Sequence, residues 1–292
     1  MRTNILLCIL SIAVISDSCQ PKIVPASSVS NYVNQIIRDA QGNPDLYGQT
    51  TEEGLQQAPF SNWYLPQYNS YTPDSSVLAA LRPELRNKTM QIFMATWCGD
   101  SKREVPRMLK LLHLCGVPPT AIGIINTGRG DHDYKQSPTH EERGKNIHRV
   151  PTFIVYQNGK EINRIVESPV QSLEKDLLSI LHREAYVPKY LGAAWMLQWH
   201  SHADWQQHEH DSTILAGDLK KLVLNRSELD GLGKVQLSLQ EINKALFTLK
   251  LNLMLFPEEP LALRSFSKAL LRKGDTVAAN HYLEKAERYA RQ

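Results

Sequence analysis

The chain has 292 residues, 42% apolar and 22% charged, with 33 basic and 30 acidic side chains for a formal charge of +3. That length allows about two domains with chain enough for a buried core in each, and the composition is that of an ordinary globular protein. So small a charge, with no basic stripe, argues against nucleic acid as a partner.

In chain order, the first element is a targeting segment. Arg2 precedes the apolar run Ile5 to Ile15, whose 11 residues are too few to span a bilayer but suit a signal-peptide core. Ser16-Asp17-Ser18 then leads into Cys19. A cut before Cys19 makes residues 1–18 a signal peptide and removes Cys8. Cys19 then begins either a plain secreted protein or, because a cysteine after small residues resembles a bacterial lipoprotein box, a lipid-anchored one. The lipoprotein reading places the chain in the bacterial cell envelope, on a membrane and facing the periplasm. Residues 19–69, rich in Asn, Gln, Ser and Tyr, read as a polar extension with a short helix around Tyr32 to Ala40.

The next stretch carries the chemistry. Met90 to Ala95 reads as a short buried strand, and from Ser101 the apolar positions Val105, Met108, Leu109, Leu111 and Leu112 recur at helical spacing. Between them lies Trp97-Cys98-Gly99-Asp100-Ser101. A cysteine at a helix start meets unpaired backbone N–H groups and the positive end of the helix dipole, and both favour the thiolate. Gly116 and Pro118-Pro119 stop the helix. Cys115 falls at its far end, more than about 20 Å from Cys98 at about 1.5 Å per residue. A disulfide needs Cα atoms within about 7 Å, so Cys115 reads as an apolar helix-end residue. Further on, Phe153 to Tyr156 is an apolar strand that runs into Asn158-Gly159 and then Glu161 to Glu167, a hairpin signal. Ser172 begins an amphipathic helix marked by Leu173, Leu177, Leu178 and Leu181.

Taken together, residues 70–183 resemble the thioredoxin superfamily, whose redox motif is Trp-Cys-x-x-Cys at a strand-to-helix turn. Pro106 stands where that family carries a kinking proline, and Val150-Pro151-Thr152 resembles its cis-proline segment. The resemblance implies an α/β thioredoxin-like fold, a mixed sheet flanked by helices, with Cys98 as a nucleophile toward protein or small-molecule disulfides. It implies that Trp97, Val150 and Pro151 offer an apolar surface and exposed backbone to an extended substrate, and it calls for no cofactor. Ser101 stands where the second cysteine would be, so it can hydrogen-bond a thiolate but cannot form an S–S bond. Release therefore needs an external reducing thiol. Ile92 stands where members that cycle two cysteines often bury a carboxylate. Lys102 and Arg103 add positive potential near the helix start, and Asp100 opposes it. The rival reading is a non-catalytic scaffold that has lost its redox role.

Residues 184–225 read as a helical connector with Tyr190, Trp195 and Trp199 on one face. Beyond it the chain repeats with a period of 34 residues: Leu229 recurs as Leu263, Leu232 as Phe266, Gly233 as Ser267, Ala245 as Ala279 and Leu249 as Leu283. Residues 226–292 thus resemble two tetratricopeptide repeats, with Pro257 between the copies and Asn252 standing where Ala286 recurs. The resemblance implies an all-α helical repeat domain that either steadies its neighbour or binds a protein partner. Two copies are too few for an independent solenoid, so they are expected to dock on residues 184–225. His200, His202, His208 and His210 match no zinc spacing and read as a solvated face rather than a metal site. His140, Glu141 and Glu142 read as polar surface, and Gly128 to Asp131 as a loop without a phosphate-binding helix start.

Overall fold

The computed structural model describes residues 33–291, so the expected signal peptide, Cys8 and Cys19 lie outside the described residues. The first half comprises β1 (Gln35–Arg38), β2 (Pro44–Thr50), α1 (Glu52–Leu55), α2 (Ser61–Ser70), α3 (Ser75–Glu84), β3 (Lys88–Met94), α4 (Gly99–Leu114), β4 (Ile122–Asn126), β5 (Thr152–Gln157), β6 (Lys160–Val166) and α5 (Leu173–Leu181). Its six strands form one mixed sheet in the order β1-β2-β4-β3-β5-β6. β3 and β4 pair in parallel, and the other neighbours are antiparallel.

Alternation along β3 divides the core. Ile92 and Met94 face the layer built by α2 to α5, where Tyr64, Leu81, Val105, Met108 and Leu177 are buried. Phe93 and the following Ala95 face the other way, into a smaller cluster with Ile125, Ile147, Val150 and Ile154. Trp97 and Cys98 pack against that second cluster, so the cysteine sits on the face without the helical layer.

Two local expectations are corrected. Residues 35–38 form a strand rather than a helix, because Asp39 accepts from the Asn43 amide and turns the chain back to pair Ile36 with Leu46. The stretch read as a polar tether also supplies Leu46, Leu55, Phe60 and Tyr64 to the main core. The β5–β6 hairpin turns on Asn158 and Gly159, both with positive φ (51° and 74°), the conformation for which Asn-Gly is suited. Ser172 caps α5 by accepting from the Lys175 amide.

The second half is all α: α6 (Leu191–Trp199), α7 (Ser212–Leu219), α8 (Ser227–Ser238), α9 (Ile242–Leu255), α10 (Pro260–Lys273) and α11 (Thr276–Ala290). The repeat is visible in its packing. Leu229, Leu263, Ala245 and Ala279 are all buried at equivalent positions. A Cβ at Gly233 would lie 2.5 Å from Leu249 Cγ, whereas Ser267 at the matching place donates to the Ala279 carbonyl at 2.7 Å. Leu249 is fully buried, whereas Leu283 on α11 is 40% exposed. Asn252, where Ala286 recurs, donates to the Arg226 carbonyl at 3.1 Å. The helices share a core with α6 and α7, through Ala193, Met196, Leu215, Leu219, Leu229, Leu232, Phe247 and Leu251. Val166 at the end of β6 joins the same cluster and ties the helical half to the sheet.

Among the histidines, His202, His208 and His210 are exposed, but His200 is not. It is buried edge-on to Trp205 at 4.8 Å and bonded through Nδ1 to Gln236 at 3.0 Å. Glu142 likewise departs from a solvated surface: it is buried and accepts from the Ser137 amide at 2.9 Å.

Candidate active site

Cys98 is the N-cap residue of α4, with extended backbone (φ −89°, ψ 126°), so the strand ends and the helix begins at the thiol. It is half-buried, and its Sγ–H donates to the Val150 carbonyl at 3.2 Å. The Val150–Pro151 peptide bond is cis, and the Pro151 carbonyl accepts from the Glu167 amide at 2.7 Å. Three of the residues singled out from the sequence, Cys98, Val150 and Pro151, therefore meet at one point. Trp97 stands beside them, its indole N–H donating to the Thr127 carbonyl at 3.1 Å and its ring stacked on Tyr134 at 6.0 Å.

Ser101 lies one helical turn inside. It is fully buried, and its hydroxyl accepts from the Ala95 amide at 3.2 Å rather than meeting the thiol. The Arg103 guanidinium is bound by Asp100 at 2.8 Å and Glu104 at 2.6 Å, which takes up most of its field near the helix start. Ile92 is fully buried among apolar residues. Cys115 caps the far end of α4, and burial pushes its thiol above the usual cysteine range.

A second ring of groups was not anticipated from the sequence. The connection from β4 to β5 brings Tyr134, Lys135 and Arg149 to the cysteine's side of the sheet. Arg149 pairs with Glu167 at 3.2 Å, lies 4.5 Å over the Tyr190 ring and donates to the carbonyl of Ser227 at the start of α8. Burial raises Glu167 above the usual carboxylate range and also raises Tyr134. His148 is fully enclosed and falls to about 3, which leaves it neutral at ordinary pH. Burial also lowers Lys135, to about 7. One of these was nearly legible: a two-residue turn at Asn158-Gly159 sets Pro151 opposite residue 166, and a bulge at Val155/Tyr156 moves the partner by one, to Glu167.

A surface cavity of about 600 Å³ is lined by Gln157, Asn158, Lys160, Asn163 and Arg183, at the end of β5 away from Pro151. It plays no part in this site. Compared with family models, curated proteins and solved structures, the chain matches none of them. The chemistry is therefore read from the geometry: a half-exposed thiol at a helix start, beside backbone able to pair with an extended chain.

Proposed function

We propose that this protein is an exported thioredoxin-like protein carrying two tetratricopeptide-like repeats, and that it exchanges thiols and disulfides through Cys98. The observation that carries the reading is the meeting of the Cys98 thiol, at the first turn of α4, with the Val150 carbonyl beside cis-Pro151. An extended substrate would pair with the Val150 backbone and lie across Trp97, which puts its disulfide within reach of Sγ.

The Cys98 thiolate attacks one sulfur of R–S–S–R′, forming Cys98–S–S–R and releasing R′–S⁻. An external thiolate R″–S⁻ then attacks the substrate sulfur, forming R–S–S–R″ and returning the Cys98 thiolate. Ser101 cannot take that second step. Its buried hydroxyl holds the Ala95 amide and so supports the turn that carries the thiol. The proposed setting is the bacterial envelope, with a diacylglyceryl anchor on Cys19 that mass spectrometry of the membrane fraction would reveal. The repeat helices are proposed to recruit a protein partner or to brace the site.

The deciding experiment compares the two described thiols. Cys98 should alkylate at pH 6 at least tenfold faster than Cys115, and should form mixed disulfides that a small added thiol clears. Equal slow rates and no mixed disulfides would move the function to the repeats and leave the sheet as scaffold.

A further inference from the structure

We propose that Lys135 is a positioning residue for Cys98, its buried ammonium serving as the counter-cation of the thiolate. This rests on the thiol-exchange reading above and deepens it.

Lys135 is 4% exposed, its Nζ donates to the His148 carbonyl at 2.7 Å, and it lies 4.8 Å from the centre of the Tyr134 ring. Neither partner carries a negative charge. A cation taken out of water without an opposite charge is strongly disfavoured, so a counter-charge must be sought nearby. The thiol is held on the same three residues: Lys135 bonds the carbonyl of His148 and Cys98 that of Val150. The residues just before each, Tyr134 and Trp97, are stacked on one another. The two segments thus run side by side.

Most other charges facing this point have partners of their own. Arg149 is matched by Glu167 at 3.2 Å, and Lys234 on α8 by Asp230 at 2.8 Å. Across the adjoining cavity, which Arg143 also lines, Lys244 is matched by Glu241 at 2.8 Å, and Glu142 is hydrogen-bonded by Ser137 and His140. His148 and His200 are neutral, both lowered by burial. Among the described residues no carboxylate is hydrogen-bonded to the Lys135 ammonium, which leaves it free to serve a thiolate at Cys98.

The pairing also supplies a proton. Once the thiolate is consumed in a mixed disulfide, the ammonium loses its counter-charge and burial favours the amine. Lys135 then gives up H⁺, which reaches solvent through the cavity of about 280 Å³ that it lines and neutralises the departing R′–S⁻. Return of the Cys98 thiolate draws a proton back.

The test is the pH profile of Cys98 alkylation by iodoacetamide in the mature protein, with Cys115 as internal reference, for wild type, Lys135→Met and Lys135→Gln. At pH 6.5 both variants should react about tenfold more slowly than wild type, the equivalent of one unit of proton affinity, and the three rates should converge above pH 9. Lys135→Met should melt no lower than wild type, because an apolar side chain replaces a buried cation. A fast wild-type Cys98 with unchanged profiles in the variants overturns the role of Lys135, as does a lowered melting temperature with an unmoved profile. If wild-type Cys98 reacts no faster than Cys115, the thiol-exchange reading itself fails. Should Lys135→Met not fold, Lys135→Gln decides alone.

Discussion

Replacing Ser101 with cysteine asks whether the helix start is a working redox turn. Helix geometry puts the Cα atoms of residues 98 and 101 about 5 Å apart, inside the range a disulfide spans. The change has two opposed effects on stability. In the reduced protein, sulfur is a poor acceptor for the Ala95 amide that Ser101 now satisfies at 3.2 Å, and leaving that buried N–H weakly bonded costs about 1–2 kcal/mol. In the oxidised protein, closing a four-residue loop restricts the unfolded chain and contributes about 2 kcal/mol. The oxidised variant should therefore melt near wild type and the reduced one about 2–4 °C lower, given the melting entropy of a chain this long. Scanning calorimetry with and without a reductant measures the gap, and thiol counting confirms the bond. The variant should also trap less mixed disulfide and gain disulfide reductase activity, a gain kept modest because Ile92 offers no carboxylate to move protons. If the two thiols stay free under oxidising conditions, or both redox forms melt together, the proposed geometry of the turn is wrong.

Two further predictions concern the frame. His200 is held at about 4 by burial and by Lys244 nearby, against an ordinary value of about 6.5. Above pH 6.5 both folded and unfolded chains carry it neutral, so its contribution is fully present there. Between pH 6.5 and 4 only the unfolded chain takes up the proton, and stability should fall by about 3 kcal/mol over that window, with His148 acting in the same direction. Urea titrations at pH 7 and 4.5 should show His200→Gln losing much less stability than wild type, and equal losses would refute this. Gly192→Ala should lower the unfolding free energy by about 2 kcal/mol, because a Cβ there would lie 2.5 Å from Val223 Cγ2 and 3.0 Å from Glu228 Oε1. It would disturb the Glu228 carboxylate that accepts the Ala193 and Leu224 amides. An unchanged urea midpoint would show that α6 shifts freely.

What could be read in advance was whatever local sequence dictates. The Asn158-Gly159 turn, the Ser172 cap and the strand-to-helix change at Cys98 depend on residues a few positions apart, and each is where spacing and turn chemistry put it. The 34-residue repeat was equally plain, because close helix contacts need small residues such as Gly233 and Ala245 at fixed intervals. β2 was missed because Pro44-Asp45-Leu46-Tyr47-Gly48 has the look of a loop. It is a strand because Arg129 binds the buried Asp45 at 2.7 Å and Thr96 donates to it at 3.0 Å, partners 84 and 51 positions away. Lys135 was invisible for the same reason. A single lysine in a polar stretch reads as solvated, and only the helices that arrive a hundred residues later enclose it.

The order in which the chain is made gives that enclosure a meaning. The turn carrying Cys98 and the segment carrying Val150 are complete well before α8 and α10 exist. Yet Arg149 is anchored on Ser227, Gln136 on Ser238 and Asp131 on Lys268. An emerging chain thus exposes its cysteine in surroundings that are still half-built, and the far wall closes only when the C-terminal helices fold back. The surroundings of the Cys98 thiol thus depend on α8 and α10 having folded back onto the segment from Asp131 to Val150.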